Sequence, residues 1–309
     1  MFVDSESPGQ RDYHSVMNYG LVLPSMHAGA SAEGIEAAAE VAERVGFSDV
    51  WTTDHVLVEH ASEDEYGRIF EAILTLAHVG ASHPKLRLGT SVIVVPQRQA
   101  VVLAKELATL DALSRGRVIA GVGIGWNRIE FANLAMSDRF HVRGAFLDET
   151  VRLWRHLWSG TSSPFRGRFH DIEDFVFEPL PAQGAALPVW FGGRAMVALQ
   201  RAGRLGDGYH SSSTSPARYA ERIPVIRDAA AAAGRPMLTL SARVRIEPGA
   251  APGGDADYAL RGTPDEIRAG LADWEAIGVD HLAIYFASVT PEAIVRDVEW
   301  FAREFAPSR

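Results

Sequence analysis

The stretch Arg117-Val118-Ile119-Ala120-Gly121-Val122-Gly123-Ile124-Gly125-Trp126 decides the predicted fold. A near-continuous apolar run follows Arg117, which is typical of a buried parallel strand. Glycine then occupies every second position, and without a Cβ another backbone or a flat ligand can approach closely. A strand that loses its side chains where it ends is the usual floor of a ligand site in an α/β protein. The plainer alternative is a tight strand exit whose glycines serve packing alone.

Strand-like and helix-like segments alternate along the chain on both sides of this stretch. The predicted strands cover residues 18–24, 49–56, 86–96, 117–126, 188–194, 208–211, 238–247 and 281–286. Eight strands that alternate strictly with eight helices favour a TIM (β/α)8 barrel over an open sheet, with the chemistry at the carboxyl ends of the strands. We therefore expect an N-terminal arm over 1–17 and one barrel domain over 18–309.

Three segments carry more specific expectations. Residues 161–187 have no sustained period and hold three prolines, so we predict an insertion after strand four, across one mouth of the barrel. Pro224 should kink the helix that begins at Ser215-Pro216, and residues 248–260 are predicted to form a loop.

Composition excludes several functional classes. The chain has 309 residues, a formal net charge of −9 and no cysteine, which argues against nucleic-acid binding, disulfides and thiolate metal sites. No apolar run reaches the roughly 18 residues that span a bilayer, so we expect no membrane partner and a cytoplasmic location. His55 and His60 have no supporting cluster of ligands, and we predict no metal site.

Polar and glycine-rich residues mark the predicted strand ends. Asp54-His55 follows strand two, and it is either a functional pair or a structural acceptor beside a solvated histidine. Gly192-Gly193-Arg194 lies before a helix N-terminus, where backbone N–H groups and a guanidinium can hold an anion. A plain turn is the alternative there. The spacing Gly121-x-Gly123-x-Gly125 is not that of a dinucleotide-binding loop, and neither a G-x-S-x-G nucleophile nor paired carboxylates occur at the strand ends.

Several motifs together resemble the luciferase-like monooxygenase superfamily, and within it the branch of oxidoreductases that use the deazaflavin coenzyme F420. They are Leu88-Gly89-Thr90-Ser91-Val92, Ala104-Lys105-Glu106-Leu107-Ala108-Thr109-Leu110-Asp111, Gly121 to Phe131, Arg143-Gly144, Gly192-Gly193 and Arg204-Leu205-Gly206-Asp207-Gly208. The resemblance implies a non-prolyl cis peptide at Ser91-Val92, against which the cofactor ring rests. It also implies that Asp54-His55 lies near the ring, that Gly192-Gly193 with Arg194 binds the cofactor phosphate, and that the protein forms a homodimer.

Two positions depart from the sugar-phosphate dehydrogenases of this superfamily. Those relatives have a glutamate where this chain has Trp126, and a tryptophan where it has Glu59. A sugar-phosphate substrate is therefore not carried over. An aromatic-lined pocket for a small organic substrate is expected instead, with Trp126 and Tyr285 as walls.

The resulting hypothesis is an oxidoreductase that transfers a hydride between F420 and a small organic substrate. His55 would handle the proton because histidine titrates near neutral pH, and Asp54 would orient it or contact the ring edge. The cofactor contacts would come from the strand ends, namely Asp54, His55, Ser91, Val92, Gly123, Ile124, Gly125, Gly192, Gly193 and Arg194. The alternatives are an FMN-dependent two-component monooxygenase served by a separate reductase, and a non-catalytic flavin-binding protein.

Overall fold

The structure is a computed structural model that describes residues 17–27, 29–251, 253–254 and 258–305. The predicted N-terminal arm lies outside the described residues, except for Met17, which is buried in the core. Among the described helices, none combines the length and apolar character needed to cross a membrane.

Twelve strands occur in the described residues, and their bounds follow: β1 (Asn18–Val22), β2 (Asp49–Thr52), β3 (Arg87–Thr90), β4 (Ile93–Val94), β5 (Val118–Gly123), β6 (Phe165–Arg166), β7 (Asp171–Ile172), β8 (Val189–Phe191), β9 (Gly208–Ser212), β10 (Thr239–Pro248), β11 (Ala259–Gly262) and β12 (His281–Tyr285). Eight of them, β1, β2, β3, β5, β8, β9, β10 and β12, pair in parallel with their neighbours and close on themselves through β9 and β10. The predicted TIM barrel is confirmed.

Helices lie between the barrel strands, with these bounds: α1 (Ala32–Val45), α2 (Ala72–Ser82), α3 (Ala100–Ser114), α4 (Arg128–Asn133), α5 (Arg143–Trp158), α6 (Met196–Leu205), α7 (Pro216–Ala220), α8 (Ile223–Ala232), α9 (Pro264–Ala276) and α10 (Pro291–Phe305). Their ends follow local chemistry. The Ser31 side chain caps α1, and Gly46 ends it with a φ of 86°. Thr263 and Glu266 form a capping box at the start of α9.

The third barrel strand is interrupted where the resemblance implied. β3 ends at Thr90, the Ser91-Val92 peptide bond is cis, and pairing with β5 resumes at β4. The second strand is shorter than predicted and ends at Thr52, so that Asp54 and His55 lie just past its carboxyl end.

Two expectations about local structure are wrong. Pro224 does not kink a continuous helix, because α7 has already ended at Ala220 and the proline lies in the first turn of α8, where no backbone N–H is needed. The predicted loop 248–260 ends in strand β11, which pairs in parallel with the end of β10 and adds an edge strand outside the barrel.

Residues 161–187 pack along the outside of the barrel. Glu149 of α5 accepts backbone N–H groups of Arg168, Phe169 and His170, which holds the β6–β7 hairpin against that helix. Gln183 donates to Asp111 at the end of α3. None of these residues lines the cavity at the carboxyl ends of the barrel strands, and the expected placement across one mouth stays a prediction.

The barrel interior contains large aromatic side chains, which adjacent glycines accommodate. Trp51 and Trp190 pack together with ring centroids 5.3 Å apart. A Cβ on Gly89 would lie 2.4 Å from the Trp51 ring, and one on Gly208 would lie 2.4 Å from Trp190. The small residues on β3 and β9 thus leave room for indole rings on the strands beside them.

Candidate active site

A cavity of about 330 Å³ opens at the carboxyl ends of the barrel strands. All of the predicted cofactor-contacting residues line it together with Trp126, namely Asp54, His55, Ser91, Val92, Gly123, Ile124, Gly125, Gly192, Gly193 and Arg194. The fold therefore brings together strand ends that are far apart in the sequence. Their roles toward a ligand remain predictions.

Tyr285 lines a neighbouring cavity of about 350 Å³ and not the one that Trp126 lines, and its role as a wall of a substrate pocket stays a prediction. It ends strand β12, which pairs with β1 and β10. Met26 and Arg243 line both cavities and form the boundary between them. The Arg243 guanidinium lies 5.5 Å from the centre of the Tyr285 ring.

Asp54 is tied to the segment that follows the cis peptide bond. Its carboxylate accepts Nη2–H of Arg98 at 2.6 Å and the backbone N–H of Val94 at 2.8 Å. Asp54 therefore does not orient His55. Its side chain anchors the chain from Val94 to Arg98 to the end of strand β2 through a buried ion pair.

His55 is held instead by Glu130, a residue to which the sequence had assigned no role. Nδ1 of His55 lies 2.9 Å from Glu130 Oε2, and the two side chains are 10% and 1% exposed. A carboxylate at Nδ1 fixes the imidazole so that Nδ1 carries a proton, which leaves Nε2 for a ligand. Within the described residues Nε2 of His55 has no hydrogen-bond partner.

Glu130 is a fully satisfied buried carboxylate. Besides His55 it accepts the backbone N–H groups of Val56 at 2.7 Å and Leu57 at 3.3 Å, and the side-chain amide of Gln97 at 3.1 Å. Burial alone would raise the pKa of Glu130, but the hydrogen bonds from His55 and Val56 outweigh burial and hold the pKa below its ordinary value. The carboxylate is therefore ionised at neutral pH.

One feature of the sequence could have indicated Glu130. Asn127 caps helix α4 by accepting the backbone N–H groups of Ile129 and Glu130, which fixes Glu130 in the first turn after the glycine-rich strand end. A second bond secures this turn, since Asn127 Nδ2 donates to Glu59 at 2.6 Å. Glu59 thus joins the segments that follow strands β2 and β5.

Aromatic rings form one wall of the cavity. The His55 and Tyr66 rings lie 4.2 Å apart, and Trp126 lies 6.0 Å from His55 and 6.1 Å from Tyr66. The side of Trp126 away from this contact is open, because the residue is 58% exposed. The structure places Trp126 where the sequence expected it, and Tyr66 is an addition that no motif indicated.

The glycines of strand β5 make room for the neighbouring strand. A Cβ on Gly121 would lie 1.7 Å from the carbonyl oxygen of Thr90, and one on Gly123 would lie 2.6 Å from Cγ2 of Val92. Val92 also lies against Gly192, where a Cβ would be 3.0 Å away. Gly121 and Gly123 therefore serve packing. The side chain of Val92 fills the space beside Gly123 and lines the cavity.

The N-terminus of helix α6 closes the far side of the cavity. Ala195 precedes the helix and provides no side-chain cap, so that the N–H groups of Met196 and Val197 are free of a capping side-chain oxygen. The N–H group of Ala198 donates to the carbonyl oxygen of Ala195 at 2.8 Å. Gly193 has a φ of 121°, a backbone conformation that glycine adopts readily and other residues rarely adopt. Arg194 is exposed beside it, with a single weak contact to the carbonyl oxygen of Ser213 at 3.4 Å. This arrangement suits an anionic group.

Comparisons with known proteins agree with this architecture. The profile of the family described as luciferase-like monooxygenase matches residues 17–251. F420-dependent glucose-6-phosphate dehydrogenases are similar to this chain: that of Amycolatopsis mediterranei is 31% identical over 67% of the chain, and that of Mycolicibacterium fortuitum is 31% identical over 76%. The chain spans 62% and 69% of the length of these two relatives.

The backbone is also similar to that of a solved F420-dependent secondary alcohol dehydrogenase in complex with an F420-acetone adduct. The TM-score is 0.79 at 17% identity, over 94% of this chain and 99% of the other. At that identity the likeness concerns the fold. The family profile spans most of the chain, and the chain therefore belongs to the luciferase-like monooxygenase family.

Proposed function

We propose that this protein is an oxidoreductase that transfers a hydride between coenzyme F420 and a small organic substrate. The observation that carries the proposal is the His55–Glu130 pair at the edge of a cavity whose opposite side is an uncapped helix N-terminus. Relatives at 31% identity are named as F420-dependent dehydrogenases, which supports a deazaflavin over the FMN alternative.

The residues around the cavity fit such a cofactor. Val92 and Ile124 offer an apolar surface for a flat ring, and the first turn of α6 with Arg194 would hold its phosphate. A deazaflavin, when bound, supplies a hydride donor or acceptor at its ring carbon C5.

The proton that accompanies hydride transfer would be handled by His55. Glu130 holds Nδ1–H, so Nε2 takes a proton from a substrate hydroxyl in the oxidative direction and returns it to a carbonyl oxygen in the reductive direction. Trp126 and Tyr66 stand against the imidazole and keep water from that side. A substrate of modest size with one oxidisable or reducible oxygen suits this arrangement.

Cofactor choice is tested by titrating the purified protein with F420 and, separately, with FMN, following the fluorescence of each. Micromolar binding of F420 with weaker or no binding of FMN is expected. Tight binding of FMN alone would contradict the proposal and would indicate a monooxygenase that requires a separate reductase. An Arg194→Ala variant should bind F420 about tenfold more weakly, because it loses a charge-assisted contact.

The role of His55 is tested with His55→Ala in a screen of alcohols and carbonyl compounds with F420. Turnover should fall about a hundredfold to ten thousandfold, with cofactor affinity nearly unchanged. The matched control is His60→Ala, which removes a fully exposed histidine five positions away. Full turnover by His55→Ala would overturn the assignment, and F420 binding without turnover on any compound would favour the non-catalytic alternative.

We also propose that the protein forms a homodimer, as the family resemblance implies. A cytoplasmic location is proposed from the composition of the chain, and locating a tagged copy by cell fractionation tests it.

A further inference from the structure

A chain of buried polar side chains crosses the barrel interior beneath the cavity, and the proposed function makes no use of it. Its centre is formed by His210, Ser241 and His281, which are in register on the adjacent strands β9, β10 and β12. Ser241 Oγ lies 2.7 Å from His210 Nδ1 and 2.8 Å from His281 Nδ1. One hydroxyl thus joins two histidines.

The two histidines continue this series of hydrogen bonds in opposite directions. His281 Nε2 lies 2.9 Å from Asp49 Oδ1, at the start of β2. His210 Nε2 lies 2.8 Å from the Ser91 hydroxyl, which lines the cavity. All five residues are at most 9% exposed. Hydrogen bonds therefore run without interruption from a carboxylate near one end of the barrel to a hydroxyl at the other.

The charge at the Asp49 end can be assigned from its surroundings. Besides His281, Asp49 receives hydrogen bonds from the Ser48 hydroxyl and the Trp51 indole, which are both neutral. Among the described residues, His281 is thus the one contact of Asp49 that can carry a positive charge. A buried carboxylate is costly unless hydrogen bonds or a charge compensate it, and His281 is the partner whose two ring nitrogens connect Asp49 to Ser241. Burial alone would raise the pKa of Asp49, but the charge and hydrogen bond of His281 outweigh burial and lower it.

An ionised Asp49 accepts Nε2–H of His281, and the state of His281 Nδ1 then sets the direction of the remaining hydrogen bonds. If His281 Nδ1 also carries a proton, it donates to Ser241 Oγ, whose own proton is then available to Nδ1 of His210. Burial, with the positive charges of His281 and Arg243 nearby, holds the pKa of His210 well below its ordinary value, so this histidine is neutral. A neutral His210 that accepts at Nδ1 carries its proton on Nε2 and donates it to Ser91 Oγ.

We propose that His281 holds a proton on each ring nitrogen beside Asp49, and that this pair, acting through Ser241 and His210, leaves Ser91 as a hydrogen-bond donor toward the cavity. Because Ser91 Oγ already accepts from His210, its own hydroxyl proton is left for a ligand. The ligand group at this place is then an acceptor, such as a ring carbonyl oxygen or an unprotonated ring nitrogen. Identifying that ligand with F420 rests on the proposed function, whereas the direction of the chain does not.

The direction is measured first in the protein without ligand, by NMR of samples labelled with 15N in histidine. The 15N shifts distinguish protonated from bare ring nitrogens, and His210→Gln and His281→Gln variants assign the signals. We expect His210 to carry its proton on Nε2, and His281 to carry protons on both nitrogens. A His210 protonated on Nδ1 would overturn the proposal, because Ser91 would then donate inward and only accept from the cavity.

The consequence for binding is measured by F420 titration of Ser91→Ala, Ser241→Ala and the double variant. Each single variant should weaken binding about three- to tenfold, and the double variant should be no weaker than Ser91→Ala, because Ser241 acts through Ser91. Ser211→Ala is the matched control, since it removes another buried serine hydroxyl on β9 that lies outside the chain. Unchanged binding by Ser241→Ala, or additive losses in the double variant, would contradict the proposal.

The two proposals fail in different ways. If the unaltered protein does not bind F420, the proposed function is lost, while the histidine shifts still decide the direction of the chain. If F420 binds and the shifts show the opposite direction, only the role of Ser91 is lost.

Discussion

Glu130 is the residue on which the proposed proton transfer depends, because its charge fixes the imidazole of His55 at 2.9 Å. Glu130→Gln keeps the size of the side chain but removes that charge and replaces one acceptor oxygen with a donor. We expect turnover to fall about tenfold to a hundredfold, with little change in cofactor affinity, measured as kcat beside F420 binding.

The chain offers a matched control for this substitution. His60 and Glu63 form another histidine–carboxylate pair at 3.4 Å, in which both side chains are exposed. Glu63→Gln should leave turnover unchanged. Equal turnover in Glu130→Gln and Glu63→Gln would mean that His55 needs no carboxylate partner.

At the scale of the element, the glycines of strand β5 let the neighbouring strand β3 and the residues after it pack closely. Gly121→Ala would place a methyl group 1.7 Å from the Thr90 carbonyl oxygen, which belongs to the rigid backbone of β3. We expect a loss of about 1–3 kcal/mol in the free energy of unfolding, or more, measured by urea denaturation. Gly254→Ala is the control, since no atom of the described residues lies within 4 Å of its Cβ position. Equal stability of the two variants would contradict the packing explanation of this glycine.

The β6–β7 hairpin depends on one carboxylate of helix α5. Burial alone would raise the pKa of Glu149, but hydrogen bonds from the backbone N–H groups of Phe169, Arg168 and His170 outweigh burial and hold the pKa below its ordinary value of 4.5. Glu149→Gln should lower the free energy of unfolding by about 1–3 kcal/mol at neutral pH.

The sign of the pH dependence follows from the lowered pKa. The unfolded chain binds a proton at this carboxyl more readily than the folded chain, so the stabilisation is present above the unfolded pKa and is lost as the pH falls through the folded pKa. The difference in thermal midpoint between the unaltered protein and Glu149→Gln should therefore shrink below about pH 4.5. A difference that stays constant down to pH 3 would show that the charge of Glu149 contributes nothing.

At the scale of the whole molecule, an apolar groove between helices α2 and α3 is the surface where we expect a second copy to bind. Ile73, Ala77, Val102 and Leu113 line it, and Leu113 is 78% exposed. Large apolar groups grouped on one face favour association, and a homodimer is what the family resemblance implies.

Leu113→Asp should convert the dimer to a monomer, because two-fold pairing would bury the new charge in both subunits. Light scattering coupled to size exclusion measures the mass. Val176→Asp serves as the control, since Val176 is 88% exposed but lies outside the groove, and it should leave the mass unchanged. A monomeric unaltered protein would contradict the proposal.

The sequence by itself determined the barrel and the order of its strands and helices. Strands and helices follow from hydrophobic periodicity, and caps such as Ser31 and Thr263 act within one turn, so neighbouring residues are sufficient to predict them. The cavity lining followed as well, because parallel strands in a barrel bring their carboxyl ends to one face.

Only the tertiary structure decided which side chains meet. Asp54 and His55 are adjacent in the sequence, yet Asp54 pairs with Arg98 and His55 pairs with Glu130, 75 positions away. The buried chain from Asp49 to Ser91 likewise joins side chains on five different strand segments. Such contacts depend on strand register and on space left by residues such as Gly20, where a Cβ would lie 1.8 Å from Asp49 Oδ1, and no local pattern in the sequence encodes them.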